Sequence, residues 1–311
     1  MEKICLAMDL GGTKLELAIV NARGEILALR KHLLDLQLGK DGVLQQLADW
    51  GMELIRDFPQ VQSVGVSSCG PLDPVRGLLL DATNLLTDGK GWGVVPLREY
   101  LAEHFSRPTY LDNDAACSAL AERWLGVAKK KQTENFMVLT LGTGLGAGIV
   151  CNGELFRSGR FRHPESGHTI VDYKNTISTC SCGVSGDSES FLSGSNFAKH
   201  FNERYHTSYS AKEIASLART GDARALTAFE TYAEVMAATL HNYAVIFCPE
   251  WIFFSGSFAE TFDIFSERTH QRLTQLLQRN KDIIPQLCVS ELENHSCLLG
   301  AASLCFNQNT L

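Results

Sequence analysis

The sequence predicts an α/β protein of two lobes, each opened by a pair of strands joined through a glycine-rich turn. Three observations carry that expectation. Apolar runs of strand length alternate with stretches at helical spacing. DLGGTK at 9–14 separates two apolar runs, and LGTGLGAG at 141–148 repeats the design far downstream. The chain has 311 residues, 45% of them hydrophobic, enough for two cores of roughly 100 to 200 residues each.

Taken in order, residues 4–8 are mostly apolar and 15–20 read LELAIV, so DLGGTK closes a hairpin. Val43, Leu44, Leu47, Leu54 and Ile55 recur at helical spacing and predict a helix over about 43–57. VQSVGVSSCGPLD then reads as a strand entering a loop. A second helix begins near Pro96, with Leu97, Leu101 and Phe105 on one face, and Pro108 precedes the strand-like TYLD. Asn113 and Asp114 lead into a helix that Gly126 is placed to stop. MVLTLGTGLGAGIV at 137–150 restarts the pattern, which reads as an internal duplication with a domain boundary near 115–135 and a nucleotide cleft between related halves. Beyond 195 the chain is mainly helical: a long helix at about 222–247, the strand IFFSGS, a helix at about 259–280, a strand near 287–291 and a closing helix from about 297. The expected division is a small N-terminal α/β domain, 1–115, joined by the C-terminal helix of about 295–311, and a large α/β domain, 116–294, carrying a cysteine-containing loop.

Composition removes several classes. The formal net charge is −7 and the longest basic run is Lys129, Lys130, Lys131, so nucleic acid is not an expected partner. No apolar window approaches the ~18 residues of a membrane span, and the apolar stretch before Asp9 is too short for a signal peptide, which predicts a cytoplasmic protein. Of ten cysteines, Cys5, Cys69, Cys117, Cys151, Cys248, Cys288, Cys297 and Cys305 are scattered through apolar segments and read as reduced core residues. Cys180 and Cys182 sit together in a Gly/Ser-rich loop.

Four constellations carry candidate chemistry. In the first turn Gly11 and Gly12 let backbone N–H groups approach phosphate oxygens, Thr13 adds a hydroxyl, Lys14 a cation, and Asp9 is a candidate Mg²⁺ ligand. A ligand-free hairpin turn is the plainer alternative. The second turn holds Gly142, Thr143, Gly144 and Gly146. In LDNDAA at 111–116, Asp114 is either a general base for an attacking hydroxyl, with Asn113 orienting another, or one of the two merely caps the helix. Cys180 and Cys182, with Gly183 and Gly186 to turn the chain and His168 as a third ligand, suggest a metal knuckle; two reduced cysteines in a polar loop is the alternative.

The order DLGGTK, GPLD, ATNL with GWGVVPL, DNDAA, LGTGLGAG, ESGH and CSCGVSGDSE resembles the ROK family of sugar kinases over nearly the whole chain. The resemblance implies a two-lobed hexokinase/actin-like ATPase fold of duplicated ribonuclease H-like domains, a cleft closing over ATP and sugar, and homodimers. It implies Asp114 as catalytic base and Asn113 as a sugar ligand. Asn84 matches a sugar-binding Asn, although Thr83 stands where proline is usual; Glu165 and His168 match the pair that contacts sugar hydroxyls, Glu189 matches the Glu that ends the family's cysteine motif, and together these imply a polar cage around the sugar. His168 would give one ring nitrogen to zinc and present its other side to the sugar. Asp187 replaces the family's third zinc cysteine, leaving His168, Cys180, Cys182 and Asp187 as a possible tetrahedral set. Ser255–Gly256–Ser257 replaces a run of glycines beside the adenosine, and Gly256 keeps the nucleotide assignment.

The expected reaction is in-line attack of a hexose primary hydroxyl, O6, on the γ-phosphorus of Mg-ATP. Glucose is the default substrate. N-acetylglucosamine, N-acetylmannosamine and fructose are alternatives, because HPESGH leans towards fructokinases and CSCG towards glucokinases and N-acylhexosamine kinases. The rivals from other classes are a sugar-responsive repressor, for which the first turn at Asp9 leaves no room for a preceding helix-turn-helix, and a non-catalytic sugar sensor.

Overall fold

The computed structural model describes residues 2–82, 84–175, 178–180, 182–292 and 295–307. Its chain divides into two compact units, one of residues 1–129, 154–164 and 295–311, the other of 130–153 and 165–294.

In the first unit, β1 (Ile4–Leu10), β2 (Lys14–Asn21), β3 (Ile26–Leu33), β4 (Ser63–Ser68) and β5 (Thr109–Asn113) form one sheet in the order β5-β4-β1-β2-β3. β1 and β2 are antiparallel, as are β2 and β3, whereas β4 runs parallel to both β1 and β5. Covered on both faces, β1 is apolar almost throughout; Asp9 is its one polar residue and the only one not fully buried. β3 was not anticipated. It is a half-exposed edge carrying Arg30 and Lys31, so it shows neither continuous apolarity nor clean alternation.

α1 (Gly39–Asp57) buries the anticipated Val43, Leu44, Leu47, Leu54 and Ile55, and α2 (Leu97–Phe105) buries Leu97, Leu101 and Phe105. α3 (Asp114–Trp124) starts directly from β5. The C-terminal helix, Ser296–Phe306, packs on α3 and β4 through two glycines. A Cβ on Gly65 would run into the carbonyl of Ala301, and one on Gly300 into the carbonyl of Cys117.

The second unit repeats the plan. β6 (Phe136–Leu141) and β7 (Leu145–Cys151) are antiparallel; β8 (Trp251–Ser255) runs parallel to β6, and β9 (Gln286–Val289) parallel to β8. The order β7-β6-β8-β9 matches β2-β1-β4-β5, so the duplication read from the two turns extends to the sheets. The helices α4 (Ser188–Leu192), α5 (Gly194–Tyr205), α6 (Ala211–Arg219), α7 (Ala223–Phe247) and α8 (Phe262–Leu276) complete it. The helix expected at 259–280 is shorter because a 3₁₀ turn, Ser257–Thr261, precedes α8. Cys248 is not a core residue: it is the exposed, left-handed C-cap of α7 with φ 46°. All ten cysteines are free thiols. Among the described residues no helix is long and apolar enough to cross a membrane.

Candidate active site

The first unit gathers Asp9, the 11–13 turn, Asn84, Asn113 and Asp114. β1 delivers Asp9 beside Glu16 of β2 and Ser67 of β4. Ser67 Oγ donates to Asp9 Oδ1 at 2.8 Å. Burial nevertheless pushes the Asp9 carboxyl up to about 6, with the charges of Asp114 and Glu16 adding to the rise and the Ser67 bond and Lys14 opposing it. Glu16, 4% exposed, is itself paired with Lys31 at 3.0 Å and Lys14 at 3.2 Å. Against the burial that would raise it, these lysines hold its carboxyl below the ordinary value. Asp9, with the Asp114 charge acting on it, offers a carboxylate suited to receive a cation.

Gly11 N–H donates to the Lys14 carbonyl at 3.0 Å and closes the turn. Gly12 lies against Asn84, since a Cβ there would stand 2.9 Å from the Asn84 carbonyl oxygen. Both Thr13 and Lys14 are exposed, as is Asn84; the neighbouring Thr83 is outside the described residues.

At the β5–α3 junction Asn113 is the N-cap, its Oδ1 accepting from Ala115 N at 3.0 Å and Ala116 N at 3.4 Å. The capping role and the ligand role are therefore compatible in one residue. The carbonyl oxygen serves the helix, and the amide nitrogen points to Gly70, 3.5 Å from where a Cβ there would sit. Asp114 follows as the first helical residue, part-exposed, with Oδ1 accepting its neighbour's Ala115 N at 2.8 Å.

The second unit gathers the other residues. Gly142 N–H donates to the Gly144 carbonyl at 3.1 Å, and Gly194 at the start of α5 donates to the Gly142 carbonyl at 2.8 Å. Glu189, on α4, accepts from Leu145 N at 2.9 Å through Oε2, so one of its oxygens is committed to the turn. The missing side chain of Gly144 makes room for it: a Cβ would lie 2.6 Å from that oxygen. Gly146 lies on β7 opposite Thr140. Gly256, φ 89°, ends β8 so close to Leu141 that a side chain would strike its carbonyl. The 165–168 segment rests on β7, because Gly167 abuts the Leu145 carbonyl, and Tyr243 donates its hydroxyl to the Ser166 carbonyl at 2.8 Å.

His168, Cys180, Cys182 and Asp187 present ligand atoms that all lie within 4.8 Å of one another. Asp187 Oδ2 is the focus: His168 Nδ1 at 3.0 Å, Cys180 Sγ at 2.9 Å and Cys182 Sγ at 3.5 Å. Its Oδ1 instead caps α4, accepting from Ser190 N at 2.8 Å. Although burial raises the Asp187 carboxyl, hydrogen bonds from Cys180, Ser190 and His168 hold it below the ordinary carboxylate value. One nitrogen, two sulfurs and one carboxylate oxygen so close together fit a tetrahedral zinc-type ion. His168 Nε2 faces away, 3.9 Å from Glu165 Oε2.

Three groups escaped the sequence reading. Ser67 is marked only by its register with Asp9. Arg157 forks onto Asp112, with Nη1 to Oδ1 at 2.9 Å and Nη2 to Oδ2. His163, 6% exposed, presses its ring on Gly70, with Nε2 3.0 Å from the position of a Cβ there. Ser67 and His163 lie in stretches quoted for other reasons, and Arg157 in none; no local pattern marks any of the three as part of the site.

A sheet of antiparallel hairpin plus parallel strands, occurring twice, each hairpin closed by a glycine turn, is the architecture of the actin-like ATPase fold. A family model described as "ROK family" matches residues 5–308, and the chain belongs to that family. It is 27% identical to the glucokinase of Thermotoga maritima over 96% of each chain. It is 32% identical to the N-acetyl-D-glucosamine kinase of Citrobacter koseri, covering 80% of this chain and 82% of the relative. The crystal structure of the ROK hexokinase from Thermus thermophilus superposes with a TM-score of 0.83 at 25% identity, covering 98% of this chain and 99% of that one.

Proposed function

We propose that this chain, an ATP-dependent sugar kinase, transfers the γ-phosphate to the 6-hydroxyl of a hexose, with glucose as the first substrate and Asp114 as general base. The observation that carries the reading is the β5–α3 junction, where Asp114 stands at a helix start beside the capping Asn113 and near enough to Asp9 to raise its pKa. Asp114 takes the proton of the attacking hydroxyl, and Asn113 uses its amide nitrogen on another hydroxyl. Asn84, Glu165, His168 and Glu189 hold the remaining hydroxyls. Gly11, Gly12, Thr13 and Lys14 in one turn, and Gly142, Thr143, Gly144 and Gly146 in the other, donate to phosphate oxygens, with Gly256 beside the adenosine. Asp9 holds Mg²⁺, directly or through water; the ion supplies charge neutralisation to the phosphates. Catalysis is mostly positioning and charge stabilisation.

The His168, Cys180, Cys182 and Asp187 cluster holds zinc, a role supported by its donor set. With Nδ1 turned to the cluster and Nε2 turned to Glu165, His168 is oriented for the sugar by the metal side. The family resemblance further supports a cytoplasmic homodimer. An N-acetylhexosamine is the second substrate reading, favoured by the 32% identity to an N-acetyl-D-glucosamine kinase. ADP release measured over glucose, mannose, fructose, N-acetylglucosamine and N-acetylmannosamine tests both. Highest kcat/KM with glucose supports the first; a preference for an N-acetylhexosamine or fructose replaces it; no turnover with any of them leaves the non-catalytic sensor.

A further inference from the structure

We propose that Arg157 is a positioning residue for phosphoryl transfer, acting through Asp112 to set the orientation of Asn113 and Asp114. The inference rests on the reading of Asp114 as the base. Asp112, 1% exposed, lies on β5 two residues before it. Its Oδ1 accepts from Arg157 Nη1 at 2.9 Å and from the backbone N–H of Asn113 at 2.7 Å, while Oδ2 takes Arg157 Nη2. The guanidinium fork therefore fixes the plane of the carboxylate, and the carboxylate fixes the Asn113 peptide. From that peptide follow the direction of the Asn113 side chain, which caps α3, and the position of the first helical residue, Asp114.

The pair is an unusual choice if packing were its only purpose. A buried ion pair is commonly no more stabilising than apolar residues of the same volume, because both charges lose their water. What it adds is a single geometry. Arg157 comes from the 154–164 segment, which belongs to the first unit, and the same segment supplies His163. His163 packs on Gly70 on the side where the Asn113 amide nitrogen lies. Arg157 thus acts on the β5–α3 junction through Asp112, while His163 fills the space over Gly70 that the Asn113 amide nitrogen also approaches.

Arg157→Met would strand a buried carboxylate and risks unfolding, so two gentler variants carry the test. Arg157→Lys keeps the charge and loses the fork. Asp112→Asn with Arg157→Gln keeps an acceptor for the Asn113 N–H and a hydrogen-bonded pair without charges. In the full-length protein, kcat per folded molecule is expected to fall about 10- to 100-fold in both, the scale of a small misplacement of reacting groups. Glucose KM should rise, ATP KM should stay within about twofold, and the lysine variant should be the less affected. A merely structural pair would lower Tm and leave kcat and both KM values unchanged, and that result overturns the proposal. Asp114→Asn is assayed alongside. If it keeps turnover, the base assignment fails; if it is silent while the Arg157 variants are normal, this inference alone fails.

Discussion

Asp9→Asn is expected to make the protein more stable and nearly inactive, with the gain in stability confined by pH. The Asp9 carboxyl is raised from 3.8 to about 6, chiefly by burial. A raised carboxyl favours the folded state when protonated: its contribution is fully present below pH 3.8 and is lost as pH rises through 6. At about 1.4 kcal/mol per unit, the difference in Asp9 ionisation between the two states opposes folding by about 3 kcal/mol at pH 7.5 and by only about 1 kcal/mol at pH 4.5. Asparagine keeps an oxygen for the Ser67 hydroxyl and carries no charge, so the pH-independent contacts change little. The advantage of the variant should therefore grow by about 2 kcal/mol between pH 4.5 and pH 7.5 in paired urea titrations. Turnover should drop by about 100-fold or more, because the carboxylate proposed to hold Mg²⁺ is gone. An advantage that is the same at both pH values, or a variant less stable at pH 7.5, would refute the reasoning that burial of an ionised Asp9 opposes folding.

Gly142 and Gly144 of the second turn should separate ligand binding from folding. Gly142→Ala meets nothing within 4 Å, so Tm should hold while ATP KM rises about tenfold; Gly144→Ala displaces Glu189 and should lower both Tm and activity. Asp187→Ser keeps an N-cap for α4 and removes the convergent carboxylate. Elemental analysis should find about one zinc per wild-type chain and a substoichiometric amount in the variant; equal zinc in both would remove Asp187 from the ligand set.

How much of this was legible in sequence follows from the range of the interactions. Glycine turns between apolar runs are local signals, and they yielded the hairpins, the duplicated sheets and the candidate phosphate sites. The strand Ile26–Leu33 was missed because a half-exposed edge lacks a period. Arg157 and Asp112 are 45 residues apart, and nothing in FRSG or LDND announces that they meet. Gly65 and Gly300 looked like ordinary glycines; their purpose is to let the C-terminal helix approach β4 and α3 at backbone distance. Glu189 matched a sugar ligand by motif, yet its carboxylate accepts from the Leu145 N–H, a contact across 44 residues that only the folded chain displays. Asn113 was posed as cap or ligand, and the fold lets one amide serve each role from a different end.

Turnover and sugar binding in Asp114→Asn test the role of Asp114 as the base most directly. Without a proton acceptor, kcat for ADP release should fall by about 100- to 10,000-fold, while calorimetry should find sugar affinity within several-fold of wild type. Near wild-type turnover in that variant would contradict the central claim.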